Sequence, residues 1–481
     1  MGQGVGRRIR AIAVLVLLAS VAAACGSRLP DDALARIDAQ QAGTSRSTDD
    51  QATTDRSTDG GTVGDSAVAV DPGATTGGAA AAATDGSGAS TATGGSGGAS
   101  GAACRGGATA KGVTATEIKV GAIVTASGPL PGATEGSYRG AQAYLTKINA
   151  AGGVCGRKLT LVKGDDGLDP QRARSEFLRI EPQVFAMVGG FSVADSGFAD
   201  LVRSTQIPYV GSVVDPAGRG PNVLPNAGVG VTHTGPFQYY RNAYPNVRNV
   251  GFLYADVGGV RANTPSSREA IKRVGFNVVY DSGLSAISPD FTSDVIAMRD
   301  KGVQMVYLFA FEVNMHVRIA RNMRQQNFEP PLKVSQIGYN SKLIELLGDT
   351  ANGWTNHIDY LPILNADEPA QSPALTDFLS WSNRTAPGAS LDLFPVSGWG
   401  AAALFVEALR SLGPDVTRPR LLGALRAISR YDGGGIHAPL DPETGISEGC
   451  FIIVRVKDRK WVREHPSSGF DCSLGERYKY G

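Results

Sequence analysis

Histidine and cysteine side chains, the commonest metal ligands and nucleophiles, are sparse in this sequence and do not cluster. The five histidines are His233, His316, His357, His437 and His465, and no two of them show an H-x-H or i, i+4 spacing. No C-x-x-C pair occurs either, so the ligand spacing of a zinc site is missing. No nucleophile has an evident base beside it. We therefore expect no metal ion, no cofactor and no enzyme activity.

An acidic stretch is a second candidate for metal chemistry. It contains Asp165, Gly167, Asp169 and Glu176, with some of the spacing of a calcium-binding loop. Pro170 stands where such a loop requires glycine. Aspartate is a favoured helix N-cap and proline a favoured first helical residue. The sequence therefore predicts a helix that begins at Asp169-Pro170.

Length and charge exclude two broad classes of protein. The chain has 481 residues, enough for about two or three domains of ordinary size. Lysine and arginine number 46 and aspartate and glutamate 45, a formal net charge of +1, which offers no broad positive field for nucleic acid. The apolar run Ile9–Ala24 is shorter than the ~20 residues of a membrane-spanning helix. A nucleic-acid partner and a polytopic membrane protein are both disfavoured.

Residues 1–25 have the layout of an export signal, with three arginines before an apolar stretch that ends in small residues. Cys25 follows that stretch directly, and the arrangement resembles the lipobox of bacterial lipoproteins, in which the cysteine receives lipid and becomes the first residue after cleavage. The resemblance implies an extracytoplasmic protein that lipid on Cys25 anchors to the cell membrane. A plain secretory signal that is cleaved near Ala24 is the alternative.

Residues 26–115 are rich in Gly, Ala, Ser and Thr, and the first aromatic residue of the whole chain is Tyr138. Such a composition buries too little apolar surface to offset the entropy lost on ordering. The segment is predicted to be a disordered tether. A flexible chain of ~80 residues has an r.m.s. reach near ~50 Å, which would hold a folded domain well away from a membrane surface.

Four cysteines remain once Cys25 is assigned to lipid, and an even number in an exported protein points to disulfides. They are Cys104, Cys155, Cys450 and Cys472. Four cysteines allow three pairings. We favour Cys104–Cys155 together with Cys450–Cys472, because each pair closes a shorter loop near one end of the globular part.

From residue 117 onward, short apolar runs rich in branched side chains alternate with stretches of helical periodicity. The runs predicted as buried strands are 118–124, 158–163, 184–188, 208–210, 250–254, 277–280, 305–309 and 333–337. The helical stretches include 138–148, 264–274, 290–301 and 313–326. A β-α-β-α order implies parallel sheets with right-handed crossovers, so the predicted fold class is α/β.

A TIM barrel is the main structural alternative, because it is built from about eight such units. Two later segments argue against it. Residues 372–430 are mostly helical in pattern, and residues 450–456 and 460–462 have the pattern of an antiparallel pair around a polar turn. We therefore expect open sheets.

Several blocks of this region resemble the type I periplasmic binding proteins of ABC transporters, in particular those for branched-chain amino acids (Leu/Ile/Val). The blocks are IKVGAIVTASGPL (118–130), GAQAYLTKINAAGGVCGRKLTLVKGDDGLDPQRA (140–173), DFTSDVIAMRDKGVQMVYLF (290–309) and GWGAAALFVEAL (398–409). The resemblance implies two doubly wound parallel-sheet lobes, joined by three crossovers, with the ligand in a cleft between them. It places residues 116–236 and 359–436 in lobe 1 and residues 237–358 and 437–470 in lobe 2.

Candidate ligand-binding residues of the first lobe stand directly after predicted strands, where helix N-termini present free N–H groups. They are Ser127 after the first strand, Phe191 and Ser192 after the third, and Ser212 and Val213 after the fourth. Ser192 matches the neighbourhood of the hydroxyl that grips an amino-acid carboxylate in the family. The loop aligns with a one-residue ambiguity, which makes Val193 the alternative. At Ser212 and Val213 the family uses backbone groups.

The second-lobe candidates are Asp256, Phe311, Gln336 and Tyr339. Asp256 offers a polar contact, and Phe311 falls near a tyrosine pair of the family, which implies an aromatic wall. The family's carboxylate for the ligand ammonium corresponds to Gln336 or Tyr339, depending on alignment. A buried ammonium without an anionic partner is costly. Short amides, carboxylates and aromatic acids therefore remain candidate ligands beside amino acids.

The resemblance implies an extracytoplasmic, lipid-anchored solute-binding protein that delivers a small amino-acid-like or other small polar ligand to an ABC permease. Its mechanism would be hinge closure, in which ligand contacts from both lobes shift an open–closed equilibrium. The alternative is a ligand-sensing protein with the same two-lobed fold and no transport role, since a fold does not fix a function.

Overall fold

The computed structural model of the chain describes residues 107–225, 231–365, 368 and 372–479. The predicted signal peptide, most of the predicted tether, and the cysteines Cys25 and Cys104 lie outside the described residues. The strands are β1 (Glu117–Val124), β2 (Lys158–Asp165), β3 (Ala186–Phe191), β4 (Tyr209–Ser212), β5 (Val223–Leu224), β6 (Val231–His233), β7 (Asn249–Ala255), β8 (Asn277–Leu284), β9 (Met305–Phe309), β10 (Leu332–Ser335), β11 (Trp354–Ile358), β12 (Leu440–Asp441), β13 (Ile446–Ser447), β14 (Ile452–Lys457), β15 (Lys460–His465) and β16 (Arg477–Lys479).

The α-helices alternate with these strands and then follow one another near the end of the chain. They are α1 (Glu135–Ala150), α2 (Pro170–Ile180), α3 (Ala199–Thr205), α4 (Gly235–Ala243), α5 (Gly258–Arg273), α6 (Thr292–Asp300), α7 (Val313–Gln325), α8 (Ser341–Leu347), α9 (Pro373–Thr385), α10 (Leu393–Ser411) and α11 (Arg418–Arg426). As the sequence predicts, α2 begins at Asp169-Pro170. The Asp169 carboxylate accepts hydrogen bonds from the amides of Gln171 and Arg172.

The first lobe is built on a parallel sheet of order β2-β1-β3-β4-β5. Its inner strands β1, β3 and β4 are largely buried on both faces, as parallel strands covered by helices must be, whereas the edge strand β2 is partly exposed. Helices α1 and α10 cover one face and helices α2 and α3 the other. Helices α1 and α10 cross closely at small residues, because a Cβ on Gly398 would lie 1.8 Å from the Ser137 carbonyl oxygen.

The second lobe is built on a larger sheet of order β15-β14-β11-β10-β9-β7-β8. Strands β7 to β11 run parallel, whereas β14 and β15 are antiparallel to their neighbours. The antiparallel pair predicted near residues 450–462 is therefore confirmed. Helices α4 and α5 cover one face and helices α6, α7 and α8 the other. Both sheets are open, and the described residues form no closed barrel.

The chain passes between the two sheets three times: after β5, after β11 and after α11. The first passage includes residues 226–230, which lie outside the described residues. The second and third run side by side, since the Leu361 amide donates to the Ile436 carbonyl oxygen (2.8 Å) and the Ala438 amide to the Asp359 carbonyl oxygen (2.6 Å). We call this pair of segments, 358–364 and 436–438, the hinge ladder.

One predicted disulfide is present, and the other is not tested. Cys450 and Cys472 are joined, with a sequence separation of 22. Cys155 takes part in a disulfide, but its predicted partner, Cys104, lies outside the described residues, so that pairing stays a prediction. Among the described helices, none combines the length and the apolarity needed to cross a bilayer. The exact lobe boundaries also stay a prediction.

Candidate functional site

A cavity of about 360 Å³ lies between the two lobes, where the carboxyl ends of both sheets face each other. This is the usual place for a ligand in open parallel sheets. The first lobe lines it with Leu130, Ala133, Thr134, Phe191, Val193, Ser212, Val213, Val214, Leu393, Phe394 and Ser397. The second lobe and the hinge ladder line it with Thr232, His233, Pro236, Ala255, Val257, Val260, Asn263, Ser266, Ser267, Tyr307, Phe309, Ala310, Glu312, Gln336, Ile337, His357, Ile358, Asp359, Tyr360, Ser447, Gly449, Cys450 and Phe451.

Four of the sequence-predicted residues lie in this lining: Phe191, Ser212, Val213 and Gln336. The Phe191 ring packs edge-to-face on Phe394, with ring centroids 5.0 Å apart. The Ser212 and Ser397 hydroxyls lie 2.9 Å apart. The Gln336 side-chain oxygen accepts a hydrogen bond from the Ala310 amide at 3.1 Å. Gln336 therefore fixes the turn after β9 as well as facing the cavity.

Ser127 and Ser192 are placed elsewhere, because neighbouring carboxylates take their hydroxyls. The Ser127 hydroxyl donates to Asp165 at 2.5 Å. The Ser192 hydroxyl donates to Asp166 at 2.5 Å and is fully buried. Val193, the alternative for the Ser192 position, does line the cavity. The loops therefore approach the cavity as expected, but with a different side chain turned toward it.

Asp256, Phe311 and Tyr339 are not brought to the cavity either. Asp256 forms an exposed ion pair with Arg261. Phe311 is fully buried in the core of the second lobe, and the Tyr339 hydroxyl is a buried acceptor for the Leu364 amide at 2.7 Å. Each of the three stands within a few residues of a strand end, so a shift of one or two positions decides which side chain reaches the cavity.

Three carboxylates hold the loops that form the first-lobe wall. Burial alone would raise the pKa of Asp165, but hydrogen bonds from the Ser127 hydroxyl and from nearby backbone amides bring it down to about 2. Burial raises the pKa of Asp166. Burial also raises the pKa of Asp195 to about 7, although the amides of Val214 and Asp215 donate to it at 2.7 and 3.0 Å. Asp195 thereby fixes the turn that carries Val213 and Val214.

The two lobes touch across the cavity at the start of α5. The Asn263 side-chain amide donates to the Val214 carbonyl oxygen at 2.8 Å. A Cβ on Gly259 would lie 2.7 Å from Val214 Cγ1, so glycine permits this approach. A second contact between the lobes joins the Asn340 amide to the Asp392 carboxylate at 2.9 Å. The structure is therefore a closed arrangement of the lobes.

Helix α5 also presents an uncapped N-terminus to the cavity. Its N-cap residue, Val257, has no side chain that could accept a hydrogen bond from the first turn. The first amides of that turn, beginning with Gly258 and Gly259, have no acceptor within the helix, and the helix dipole adds partial positive charge beside Val257 and Val260 of the lining. By contrast, Glu312 caps α7 with its own carboxylate, which accepts from two amides at 2.7 Å.

The described lining residues include no lysine or arginine and two carboxylates, Glu312 and Asp359. Glu312 is engaged as a helix cap. Asp359 lies on the hinge ladder with its side chain open to the cavity, and burial of the site raises its pKa while the neighbouring His437 opposes that shift. The electrostatics of the site therefore favour ligands that are neutral, zwitterionic or cationic over those that carry only negative charge.

Sequence reasoning missed a group of cavity residues on the second lobe: Asn263, Ser266, Ser267, Tyr307 and His357. One signal for the first three was present. Ser266 and Ser267 are buried on a helix face that normally carries large apolar side chains. The predicted helix began only at residue 264, because Pro265 and the missing N-cap hide the true start at Gly258.

A comparison with protein families agrees with this architecture. Residues 117–460 match the family described as periplasmic binding protein. Because the match covers well over half of the chain, the protein belongs to that family, which consists of extracytoplasmic solute-binding proteins. The α/β fold with two doubly wound parallel-sheet lobes, as predicted from the sequence, is confirmed.

Curated relatives of this chain are named after Leu/Ile/Val binding. The chain is 25% identical over 348 residues to the Leu/Ile/Val-binding protein homolog 8 of Brucella suis, which covers 68% of this chain and 84% of that protein. It is 23% identical over 249 residues to the Leu/Ile/Val/Thr-binding protein of Salmonella typhimurium, covering 50% of this chain and 67% of that one. The resemblance to branched-chain amino-acid binding proteins is thus confirmed.

Solved structures share the fold at low sequence identity. A fatty acid ABC transporter substrate-binding protein from Thermomonospora curvata has a TM-score of 0.62 at 19% identity and covers 77% of this chain and 95% of its own. A solute-binding protein from R. palustris in complex with benzoate has a TM-score of 0.60 at 18% identity and covers 75% of this chain and 97% of its own. Such neighbours show the fold alone.

Proposed function

We propose that this protein is a lipid-anchored, extracytoplasmic solute-binding protein of an ABC importer that captures a small amino-acid-like or other small polar ligand by hinge closure. It acts by binding and release, without covalent chemistry. The observation that carries the proposal is the cavity between two lobes, closed on one side by hydrogen bonds between the lobes and bordered on the other by the hinge ladder.

The arrangement suits reversible closure because the contacts on its two sides differ in kind. On the hinge side, two chain segments are paired through their backbones near Asp359 and Ile436. Elsewhere the lobes are joined through side chains, by the Asn263 amide to the Val214 carbonyl oxygen and by the Asn340 amide to the Asp392 carboxylate. Rotation about the hinge ladder would break these side-chain contacts and leave both sheets intact, as in hinge motions generally.

The ligand is the least determined part of the proposal. The relatives are named for branched-chain amino acids, and structural neighbours include proteins for a fatty acid and for benzoate. The uncapped first turn of α5 supports binding of a carboxylate or carbonyl oxygen. The apolar lining supports an aliphatic or aromatic body.

Isothermal titration with leucine, isoleucine, valine, benzoate and short fatty acids tests the binding function. We expect saturable heat for at least one compound, together with a smaller radius of gyration by X-ray scattering in its presence. No binding across the panel and no change in shape would contradict the proposal.

The anchor and the transport role need separate experiments. Labelling with a radioactive fatty acid in a bacterial host should mark the wild type and not Cys25→Ala, whereas Ser27→Ala serves as the matched control. Loss of label is expected to release the protein from the membrane fraction. Uptake of the bound solute that falls when the protein is deleted supports import, while unchanged uptake favours the sensing alternative.

A further inference from the structure

The cavity extends from the cleft into the interior of the second lobe. The part between the sheet and α5 is lined by Thr232, Ser266, Ser267 and Tyr307, and by His357 at the carboxyl end of β11. We call these five residues the inner pocket. Helix α5 begins at the cleft with Gly258, and at 1.5 Å per residue Ser267 lies about 13 Å further along the helix axis. The space therefore reaches well beyond the strand ends.

The inner pocket exists because one helix face is built from small side chains. Thr264, Ser266 and Ser267 are buried on the inward face of α5. On the opposite face of the same sheet, α7 buries Met315, Ile319 and Met323, which fill the corresponding space. A packed interior normally leaves few voids larger than a water molecule, so the small residues on α5 keep room open.

The inner pocket is polar but uncharged. The Thr232 hydroxyl donates to the Ser266 hydroxyl at 3.0 Å and lies 3.3 Å from that of Ser267. Burial lowers the pKa of His357 to about 4, so its imidazole is neutral near pH 7. His357 Nδ1 is buried and has no hydrogen-bond partner among the described residues. Leaving a buried polar atom unpaired is unfavourable, and a polar group on a ligand would offset that cost.

Apolar side chains line the cavity beside the inner pocket. They are Val257, Val260, Phe309 and Phe451, and none of them offers a side-chain hydrogen bond. A ligand that reached from the first turn of α5 to Ser266 and Ser267 would therefore need an apolar body. A single small α-amino acid would occupy only part of this space.

We propose that the inner pocket is a second ligand subsite, which receives the uncharged, hydrogen-bonding end of an elongated solute with an apolar body. The inference rests on the proposed binding function and narrows its ligand to molecules longer than an α-amino acid. Hydroxyl, amide or carbonyl groups are the chemical classes that match Thr232, Ser266 and His357 in the inner pocket.

Fluorescence of N-phenyl-1-naphthylamine, an uncharged apolar probe, tests the subsite in the full chain carrying Cys25→Ala, which cannot receive lipid. We expect a saturable rise in fluorescence that octanol and decanol reverse more effectively than hexanol. Ser267→Leu fills the inner pocket and should raise the Kd of the probe at least ~10-fold, equal to about 1.4 kcal/mol. Ala262→Leu, on the exposed side of the same helix, is the matched control and should leave the Kd unchanged.

A second variant tests the polar end without filling the pocket. His357→Phe keeps an aromatic ring against Tyr307, whose ring plane lies within 2° of that of His357, but removes the unpaired nitrogen. We expect octanol to displace the probe about 5-fold less effectively, in line with the loss of one hydrogen bond. Thermal unfolding of each variant shows whether a loss of binding reflects a loss of folding.

The outcomes separate the subsite from the general binding function. The subsite is supported if the wild type binds the probe and Ser267→Leu does not, while both proteins still bind short ligands of the titration panel. The subsite would be overturned if the wild type bound a short ligand but not the probe, or if Ser267→Leu bound the probe as well as the wild type does. Either result would leave the proposed function standing. No binding of either kind by the wild type would contradict both.

Discussion

The two walls of the cavity differ in how their side chains are held in place. The first-lobe wall consists of loops that buried or half-buried carboxylates tie down: Asp165, Asp166 and Asp195 each accept several hydrogen bonds from amides or hydroxyls. The second-lobe wall has hydroxyls, aromatic rings and a neutral histidine around open space. The first wall is thus suited to hold a fixed shape, and the second to admit ligands of different length.

The largest expected effect is on the fixed wall. Asp166→Ala leaves the Thr125 and Ser192 hydroxyls and the Leu168 amide without their acceptor. We expect the free energy of unfolding to fall by roughly 2–4 kcal/mol, because buried polar groups would lose their partners. Urea denaturation measures this change in the free energy of unfolding. Asp256→Ala, which removes an exposed ion pair, is the control and should not shift the midpoint of urea unfolding. An equal loss of stability in both variants would show that the buried carboxylate does not stabilise the fold more than the exposed one.

A second effect on the same wall, of similar size, should depend on pH. The pKa of Asp195 is about 7 in the folded protein and near 3.9 in an unfolded chain. The folded state therefore holds a proton that the unfolded state lacks, and this contribution to stability is lost as the pH rises from about 4 through 7. Relative to Asp195→Asn, the free energy of unfolding of the wild type should fall by roughly 2–4 kcal/mol over that pH range.

Thermal unfolding of both proteins between about pH 4.5 and pH 8 provides the measurement. A difference between them that stays constant with pH would show that Asp195 does not titrate in this range. His357, in the opposite wall, provides a contrast. Its pKa is about 4 in the folded protein and near 6.5 in an unfolded chain, so its contribution to stability is lost as the pH falls from about 6.5 through 4. His357→Phe should therefore change the slope of stability with pH in the opposite sense to Asp195→Asn below about pH 6.5, and leave it unchanged above that pH.

The smallest expected effect concerns the contact between the walls. Asn263→Ala removes the hydrogen bond to the Val214 carbonyl oxygen, which exists only when the lobes are closed. One such bond contributes about 1 kcal/mol, so the Kd of a bound ligand should rise about 5-fold while the unfolding midpoint stays the same. Asn277→Ala, an exposed asparagine at the start of β8, is the control. Equal Kd values for the two variants would show that the contact does not stabilise closure.

Much of the fold could be predicted from the sequence, because alternating apolar runs and helical periods report directly on parallel strands and crossovers. The prediction for β9 coincides with the structure, and the disulfide Cys450–Cys472 is present. The helix start at Asp169-Pro170 was also clear, since a capping aspartate followed by proline is a strong local signal.

The site was harder to predict, for reasons that particular residues show. Ser127 and Ser192 follow strands as expected, yet their hydroxyls turn to Asp165 and Asp166, a choice that no local pattern reveals. His357 lies inside a strand, where a buried histidine looks the same in sequence whether it faces a core or a cavity. Long-range packing decides both cases.

The absence of lysine and arginine from the described cavity lining has a consequence for how the solute leaves. At physiological ionic strength the Debye length is about 8 Å, and salt screens exposed charges most strongly. Asp359 and the helix-capping Glu312 are the only carboxylates in that described lining, so a ligand without positive charge should keep nearly the same affinity from dilute buffer to concentrated salt. Changes in the surrounding electrolyte would then leave the cargo in place, and its discharge would depend on a mechanical event, the parting of the two lobes.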